Sequence, residues 1–288
     1  MPNGIIIINK PADWTSMDVC AKLRGIYKEK RVGHAGTLDP MATGVLPVFV
    51  GQATKAVSFA EGGKKEYRAV MRLGIVTDTQ DTSGTVLREA PVTVGEAEIC
   101  AALPNFTGEI AQLPPMYSAI KINGQKLCDI ARRGGEVERK QRNITIYELE
   151  LVKKLSETDY ALRVVCSKGT YIRTLCHDIG TFLGCGAAMA ALQRTMAAGF
   201  TIDEAVTLEA VQQHREVLLR PIDSLFRENG AYTIPTAEEE RRARCGNPLR
   251  AAVADGLYRV YGCDGTFLSL SEAKSGVLTA KKNFFSAE

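Results

Sequence analysis

Residues 33–55 read GHAGTLDPMATGVLPVFVGQATK, a composition typical of an active-site loop that runs into a buried strand. The glycines let the backbone adopt unusual angles and approach a ligand closely. Pro40 fixes the backbone just after Asp39 and keeps Asp39 itself out of the helical region. We therefore expect Asp39 to be held rigidly in an extended conformation, with His34 a short distance before it in the loop.

Composition bounds the class of protein. The chain has 288 residues, of which 45% are hydrophobic and 24% charged, and these fractions are ordinary for a soluble globular protein. No apolar run is long enough for a membrane span or for the core of a signal peptide. The net charge of +3 does not by itself indicate a nucleic-acid partner. We expect a cytoplasmic protein that makes no membrane contact.

Metal and cofactor chemistry lack sequence support. The eight cysteines form no CxxC pair, so we expect reduced thiols and no zinc site. His177-Asp178 is reminiscent of a metal-binding pair, but a hydrolase of that type needs more than the three histidines present. Nucleotide-binding motifs of the GxGxxG and GxxxxGK[ST] types and the GxSxG nucleophile motif are absent. The sequence predicts neither a cofactor nor a metal.

Asp39 remains the strongest catalytic candidate. A carboxylate that acts in catalysis must be ionised and aimed, and a nearby guanidinium favours the ionised form and can bind it with two hydrogen bonds. Arg173 follows a strand end and a glycine, which is a position that suits an active-site arginine. Spacing alone leaves other partners for Asp39 open. By the same reasoning Tyr67 and Tyr171 would be core residues.

Hydrophobic periodicity and turn residues predict the secondary structure. Strands are expected over residues 5–8, 45–50, 65–73, 144–155 and 161–166. Helices are expected from an N-cap at Ser16 or Asp18 to Tyr27, and over residues 94–103, 173–182, 187–198 and 208–219. After a linker at 228–230, short β-prone runs at 257–261 and 266–270 predict a small β-rich module.

Several motifs occur together in a fixed order. They are Asn9-Lys10-Pro11 with Thr15-Ser16, residues 33–55, residues 65–68, residues 72–74 before 77–79 and Asp81, residues 114–121, residues 167–174 and residues 184–187. In combination they resemble the TruB family, the bacterial tRNA pseudouridine synthases that modify uridine 55 in the T-loop. The resemblance covers most of the first 225 residues.

The resemblance implies an architecture. It is an α+β pseudouridine synthase fold with a mixed, mostly antiparallel central sheet, and a small PUA-like β-rich domain at the C-terminus. Residues 1–227 would form the catalytic domain, with an RNA-gripping insertion at about 115–143. Residues 228–288 would form the PUA-like domain.

The resemblance also implies roles for individual residues. Asp39 matches the catalytic aspartate, Arg173 the arginine that pairs with it, and Tyr67 the tyrosine that stacks on the target base and is implicated in removing the C5 proton. His34 matches the histidine that helps to capture the flipped nucleotide. Two pocket-lining residues and the basic RNA contacts of the insertion follow: Tyr171, Leu192, Lys121, Arg132, Arg133, Arg139 and Lys140. The isomerisation needs no cofactor.

The sequence departs from the family pattern at three positions. Asp13 stands where a glycine is usual, and Cys128 and Ile130 stand where tyrosines are common. The implied partner is the T-arm of tRNA. The chain starts close to its first strand and ends soon after the C-terminal module, so we expect a stand-alone monomer without an obligatory protein partner.

Three alternatives remain open on the sequence alone. The first is a non-catalytic RNA-binding or RNA-folding module, although Asp39, Tyr67 and Arg173 are all retained. The second is a nucleosidase or glycosidase, which usually needs a second carboxylate as acid or base. The third is a guide-RNA-dependent relative of the same family.

Overall fold

The computed structural model describes residues 2–122 and 124–285 of the chain. The first half contains β1 (Gly4–Lys10), α1 (Ser16–Tyr27), β2 (Val32–His34), β3 (Thr43–Val50), α2 (Val57–Ala60), β4 (Lys65–Leu73), β5 (Ile75–Thr77), β6 (Val86–Glu89), α3 (Glu96–Ala102), β7 (Gly108–Gln112), β8 (Lys121–Ile122), β9 (Gln125–Lys126) and α4 (Leu127–Ala131). The second half contains β10 (Arg142–Lys154), β11 (Asp159–Cys166), α5 (Ile172–Phe182), β12 (Ala187–Ala197), β13 (Phe200–Thr201), α6 (Leu208–His214), β14 (Gly230–Thr233), α7 (Ala237–Arg244), β15 (Leu249–Arg250), β16 (Gly256–Tyr261), β17 (Phe267–Lys274) and β18 (Val277–Asn283).

The central sheet has the strand order β1-β3-β12-β4-β11-β10-β7, with β2 and β13 added beside β3 and β12. The pairing of β12 with β3 is parallel, and the other pairings along this path are antiparallel. The predicted mixed, mostly antiparallel sheet is therefore confirmed. Strand β4 lies in its middle, so side chains on β4 can meet groups from both neighbouring strands.

The prediction of a helix over residues 187–198 is wrong, because this segment is strand β12. Alanine favours helix as an intrinsic preference, but tertiary context overrides such preferences. Here the segment lies between β3 and β4 and is largely buried, so small side chains are needed to let the neighbouring layers approach. The predicted helix at 208–219 is also shorter, since α6 ends at His214 and a 3-10 turn over Arg215–Leu218 follows.

Helix α1 begins at Ser16, and its N-cap is Thr15, one residue before the first of the two predicted caps. The Thr15 hydroxyl accepts the backbone N–H of Asp18, and the Asp18 carboxylate accepts the backbone N–H of Thr15, which closes a capping box. This cap fixes the turn that follows β1. The same turn places Ser16 against the loop after β2.

A second sheet of order β14-β16-β17-β18-β15 forms the C-terminal module. It has its own apolar cluster, which includes Val260, Leu268 and Leu278. Phe267 on β17 and Phe284, just after β18, pack against Phe226, within a cluster that also contains residues of β1 and β3. The module is thus joined to the main body by a shared aromatic contact.

Candidate active site

The loop between β2 and β3 carries Asp39 and is anchored on both sides of that residue. Before it, the Ser16 hydroxyl accepts the backbone N–H of Leu38 at 2.9 Å. After it, the carbonyl of Pro40 accepts the Lys10 ammonium and the backbone N–H of Asp13, each at 2.9 Å. The loop therefore presents the Asp39 carboxylate from a fixed backbone, with 36% of the side chain still exposed.

The backbone conformation at Asp13 explains why a glycine is usual at this position. Its φ is +63°, which lies in the left-handed region that glycine adopts most readily. Aspartate is among the residues that tolerate this region best. The substitution therefore preserves the turn that places the Asp13 N–H on the Pro40 carbonyl.

Arg173, at the start of α5, holds the Asp39 carboxylate with two contacts. Its Nε lies 3.0 Å from Oδ2 of Asp39, and its Nη2 donates to Oδ1 at 3.3 Å. Only 6% of the Arg173 side chain is exposed. This fork-shaped pairing fixes both the charge and the orientation of the carboxylate.

The same guanidinium has three further acceptors, which hold it in place. Nη2 donates to the carbonyl of Tyr117 at 2.8 Å, and Nη1 donates to the carbonyl of Thr79 at 3.1 Å. Nη1 also reaches the buried carboxylate of Asp81 at 3.4 Å. Arg173 is therefore a positioned group with little freedom to turn away from Asp39.

Asp81 is a member of the site to which sequence reasoning gave no role. Its carboxylate accepts the Thr79 hydroxyl at 2.9 Å, the Ser83 hydroxyl at 2.5 Å and the Ser83 backbone N–H at 3.0 Å. Its motif was visible in the sequence, but nothing in the spacing indicated that residues 81 and 173 meet. The structure makes Arg173 a bridge between two carboxylates.

The electrostatics of Asp39 combine opposing effects. Burial raises the pKa of Asp39 above its ordinary value, the Arg173 guanidinium opposes that rise, and the negative charge of Asp81 adds to it. A higher pKa makes an ionised carboxylate a stronger base, while the paired guanidinium stabilises its charge. The arrangement suits a carboxylate that must react while ionised.

Tyr67 lies on β4 directly opposite Arg194 on β12. The Arg194 side chain is fully buried and donates to the carbonyls of Val45 at 2.7 Å and Gly36 at 2.8 Å. Burial raises the pKa of Tyr67, and the positive charge of Arg194 opposes the rise. Arg194 thus links the phenol to the loop of Asp39.

Arg194 and Lys10 were both missed by sequence reasoning. A single cation in a mostly apolar strand is a sequence signal. Lysine and arginine are almost never fully buried unless they are paired, so a cation in such a strand is expected to have specific partners. The Lys10 ammonium donates to the carbonyls of Pro11, Trp14 and Pro40 at 2.6–2.9 Å. Burial lowers the pKa of Lys10 from 10.5 to about 8, and the charges of Asp13 and Asp39 oppose this.

The other candidates for the substrate pocket lie around this centre. His34 ends β2, and its buried Nδ1 finds no hydrogen-bond partner among the residues that the structure describes. Burial together with Arg194 lowers the pKa of His34. Tyr171 precedes α5, where its backbone N–H and carbonyl are held by the Gln112 side chain. Leu192, on β12, belongs to the same apolar cluster as Tyr67.

The basic residues of the insertion differ in their surroundings. Lys121, Arg132, Arg133 and Lys140 are exposed. Arg139 is half-buried and donates to the carbonyl of Pro114 at 3.0 Å, so it also holds the insertion to the chain before it. The four exposed cations remain the better candidates for contacts with a polyanion.

Metal ligation has no support in the part of the chain that the structure describes, where histidine, cysteine, aspartate and glutamate form no cluster able to hold an ion.

Across residues 2–122 and 124–285, no helix combines the length and apolar character that a membrane crossing requires.

Comparison with solved structures defines the class of fold. The chain superposes on a structure of a Cbf5–Nop10–Gar1 complex with a TM-score of 0.74 and 26% sequence identity, over 98% of this chain and 85% of the other. The architecture is that of the Cbf5/TruB-type pseudouridine synthases.

Sequence comparison defines the family. A model of the N-terminal domain of TruB family pseudouridylate synthases matches residues 24–172, and a model of the C-terminal domain of tRNA pseudouridylate synthase B matches residues 173–227. The tRNA pseudouridine synthase B of Pseudomonas fluorescens is 41% identical over 99% of this chain and 96% of its own length. That of Alkaliphilus oremlandii is 50% identical over 77% of this chain and 74% of its own length. The chain belongs to the TruB family, and it is an enzyme.

Proposed function

We propose that the protein converts uridine 55 in the T-loop of tRNA into pseudouridine. The observation that carries this proposal is the Asp39 carboxylate, held by two contacts from a buried arginine and left partly exposed beside Tyr67. Family membership supports the reaction class, and the relatives named tRNA pseudouridine synthase B support tRNA as the substrate. The enzyme acts in the cytoplasm as a monomer without an obligatory protein partner.

The reaction is an isomerisation, so its atoms balance within the substrate. The bond from ribose C1′ to N1 of the uracil breaks, the base turns, and a bond from C1′ to C5 forms. The proton on C5 leaves, and N1 gains a proton. No oxidant, reductant or energy source is consumed.

The target nucleotide must first leave its stacked position, at a cost of a few kcal/mol. Tyr67 offers a ring for the extruded base, an interaction worth about 1–3 kcal/mol. His34 carries little positive charge at neutral pH because burial and Arg194 lower its pKa, so it would meet the displaced nucleotide as a neutral ring.

Asp39 then acts on the substrate by attack on the base, by attack on the sugar, or by promoting loss of a ribose proton to give a glycal. Arg173 keeps the carboxylate ionised and aimed in each of these routes. The Tyr67 hydroxyl takes the C5 proton while its own proton passes to solvent, so the phenol is neutral before and after the step.

The test is tritium release from tRNA that carries a C5 label on its uridines. The expected result is stoichiometric release with the RNA chain intact, mapped to position 55. A nucleosidase would free uracil instead, and a non-catalytic RNA-binding module would release no label. Mapping pseudouridines in cellular RNA with and without the protein gives the same answer in vivo.

A further inference from the structure

Lys65 is a half-buried cation beside the loop that carries Asp39. It begins β4 and shares a face of the strand with Tyr67, because side chains two residues apart point the same way. Its side chain is half-buried, and within residues 2–122 and 124–285 it makes no hydrogen bond or ion pair. A half-buried ammonium of this kind costs free energy unless an anion meets it.

The Lys65 stem lies against the catalytic loop. A Cβ built on Gly36 would be 3.3 Å from Cε of Lys65 and 3.2 Å from Nη1 of Arg194. Both cations therefore pack on the same side of Gly36, three residues before Asp39. The φ of Gly36 is +72°, so the loop turns at this point and keeps its backbone close to both side chains.

Positive charge exceeds negative charge around Lys65. The charged groups that face it are Arg194 and Lys168, with Glu61 as the opposing carboxylate. Glu61 is exposed and forms no ion pair with Lys65. Cys166 also faces Lys65, but burial raises the pKa of its thiol to about 11, so it carries no charge at neutral pH.

We infer that Lys65, with Lys168 at the rim, binds a phosphodiester group next to the nucleotide that Tyr67 receives. Lys65 and Tyr67 are two positions apart along β4, about 7 Å, and one nucleotide can bridge this distance from base to phosphate. The inference rests on the proposed function for the identity of the polyanion. It adds a phosphate subsite built into the catalytic strand itself, apart from the insertion.

The burial and charge around Lys65 agree with this role. Burial, Arg194 and Lys168 all lower the pKa of Lys65 in the free protein. A bound phosphate would reverse that effect, since an opposite charge favours the ionised ammonium. Lys65 thus repels Arg194 and Lys168 in the free protein and attracts the phosphate once RNA is bound.

The first test measures binding of a T-arm hairpin RNA over a series of salt concentrations. Lys65→Gln should reduce the slope of log K against log salt by about 0.7–0.9, the share of one phosphate contact, and Lys65→Arg should restore it. Lys153→Gln is the matched control. Lys153 is exposed and pairs with Ala161 near the start of β11, whereas Lys65 pairs with Cys166 at the end of that strand. The two lysines therefore lie at opposite ends of β11. An equal loss of slope in the control would overturn the inference.

The second test starts with the unaltered protein, so its first measurement does not depend on how a variant folds. Each phosphate that adjoins the target uridine is replaced in turn by a neutral methylphosphonate. One replacement should weaken binding about threefold to tenfold, and Lys65→Gln should lose no further affinity for that RNA. Additive losses at both phosphates, or no loss at either, would overturn the inference.

The two outcomes are separable from the proposed function. The coupling is the absence of a further loss when Lys65→Gln is combined with one methylphosphonate. If this coupling is found but the wild-type protein releases no tritium, the reaction assignment fails and the phosphate subsite stands. If it releases tritium without the coupling, the subsite fails and the reaction stands.

Discussion

Arg173 grips Asp39 through both of its carboxylate oxygens, with Nε 3.0 Å from Oδ2 and Nη2 3.3 Å from Oδ1. A lysine could supply the charge at this position but could not supply the two-pronged geometry. Orientation and charge of the carboxylate are therefore set by one side chain.

Replacing Asp39 with asparagine should reduce turnover by more than about a thousandfold, as expected when a group that attacks the substrate is lost. RNA binding should stay within about twofold, because the amide keeps the shape and phosphate contacts dominate affinity. Tritium release and hairpin binding, measured on the same preparation, check both statements. Normal pseudouridine formation by this variant would falsify the assignment of Asp39.

Asp81→Asn should shift the acid limb of the kcat/KM profile to lower pH. The negative charge of Asp81 raises the pKa of Asp39, so its removal lowers that pKa and the carboxylate stays ionised further into acid. A pH–rate profile of wild type and variant measures the shift. A move toward higher pH would show that Asp81 does not act on Asp39 through its charge.

Asp81→Ala should destabilise the fold by about 3 kcal/mol, because it removes one carboxylate from a buried guanidinium and one acceptor from the hydroxyls of Thr79 and Ser83. Denaturant unfolding measures the loss. The asparagine variant is the control, since its side-chain oxygen can still accept two of those donors.

Tyr67→Phe separates stacking from proton transfer. Loss of the hydroxyl should lower kcat by about a hundredfold or more, the range typical of a lost proton-transfer group, while the retained ring keeps binding nearly unchanged. Tyr67→Leu is the contrast, since loss of the ring should also weaken binding by about 1–3 kcal/mol. An unchanged rate in the phenylalanine variant would rule out the hydroxyl as the base.

Lys10→Met should destabilise the protein at pH 7 by about 2–4 kcal/mol, because three carbonyls lose their donor. The pKa of Lys10 is lowered by burial to about 8 in the folded protein, against 10.5 in the unfolded chain. Between these two values the unfolded chain binds more protons, so the contribution of Lys10 to stability rises with pH across that window. The stability difference between wild type and Lys10→Met should therefore grow from pH 8 to 10.5, and a constant difference would contradict this account.

Charge reversal at Arg132, Arg133 and Lys140 should weaken binding of the T-arm hairpin and flatten its salt dependence. These three residues are exposed, so their replacement leaves the fold intact. Arg139 is left unchanged because it donates to the Pro114 carbonyl. If the salt slope stayed the same, the RNA would follow another path over the surface.

Sequence reasoning recovered strands where periodicity and burial agree. The alternation over Lys65–Leu73 gave the bounds of β4, because one face of that strand is buried throughout. The helix predicted over residues 187–198 was wrong, because a strand that is covered on both faces shows no alternation of polar and apolar residues. Intrinsic preference then indicates helix, and only the neighbouring strands decide otherwise.

Only some of the residues at the candidate site could be predicted from the sequence, for a related reason. A glycine-rich loop around Asp39 is a local signal, and Arg173 and Tyr67 became candidates for named roles through resemblance to a family. No local signal identifies the partners of Arg194 and Asp81, because those partners lie far away in the chain: Arg194 donates to Val45 and Gly36, and Asp81 meets Arg173. Such pairings exist only once the sheet has brought those segments together.

The acceptors of the Arg173 guanidinium come from residues 39, 79, 81 and 117, while the arginine itself lies at the start of α5. No contiguous fragment shorter than about half the chain contains all of these groups. The reaction centre is therefore completed only when distant segments have docked, which places its assembly late in folding because long loops must close first. Activity of this protein therefore requires the complete tertiary structure.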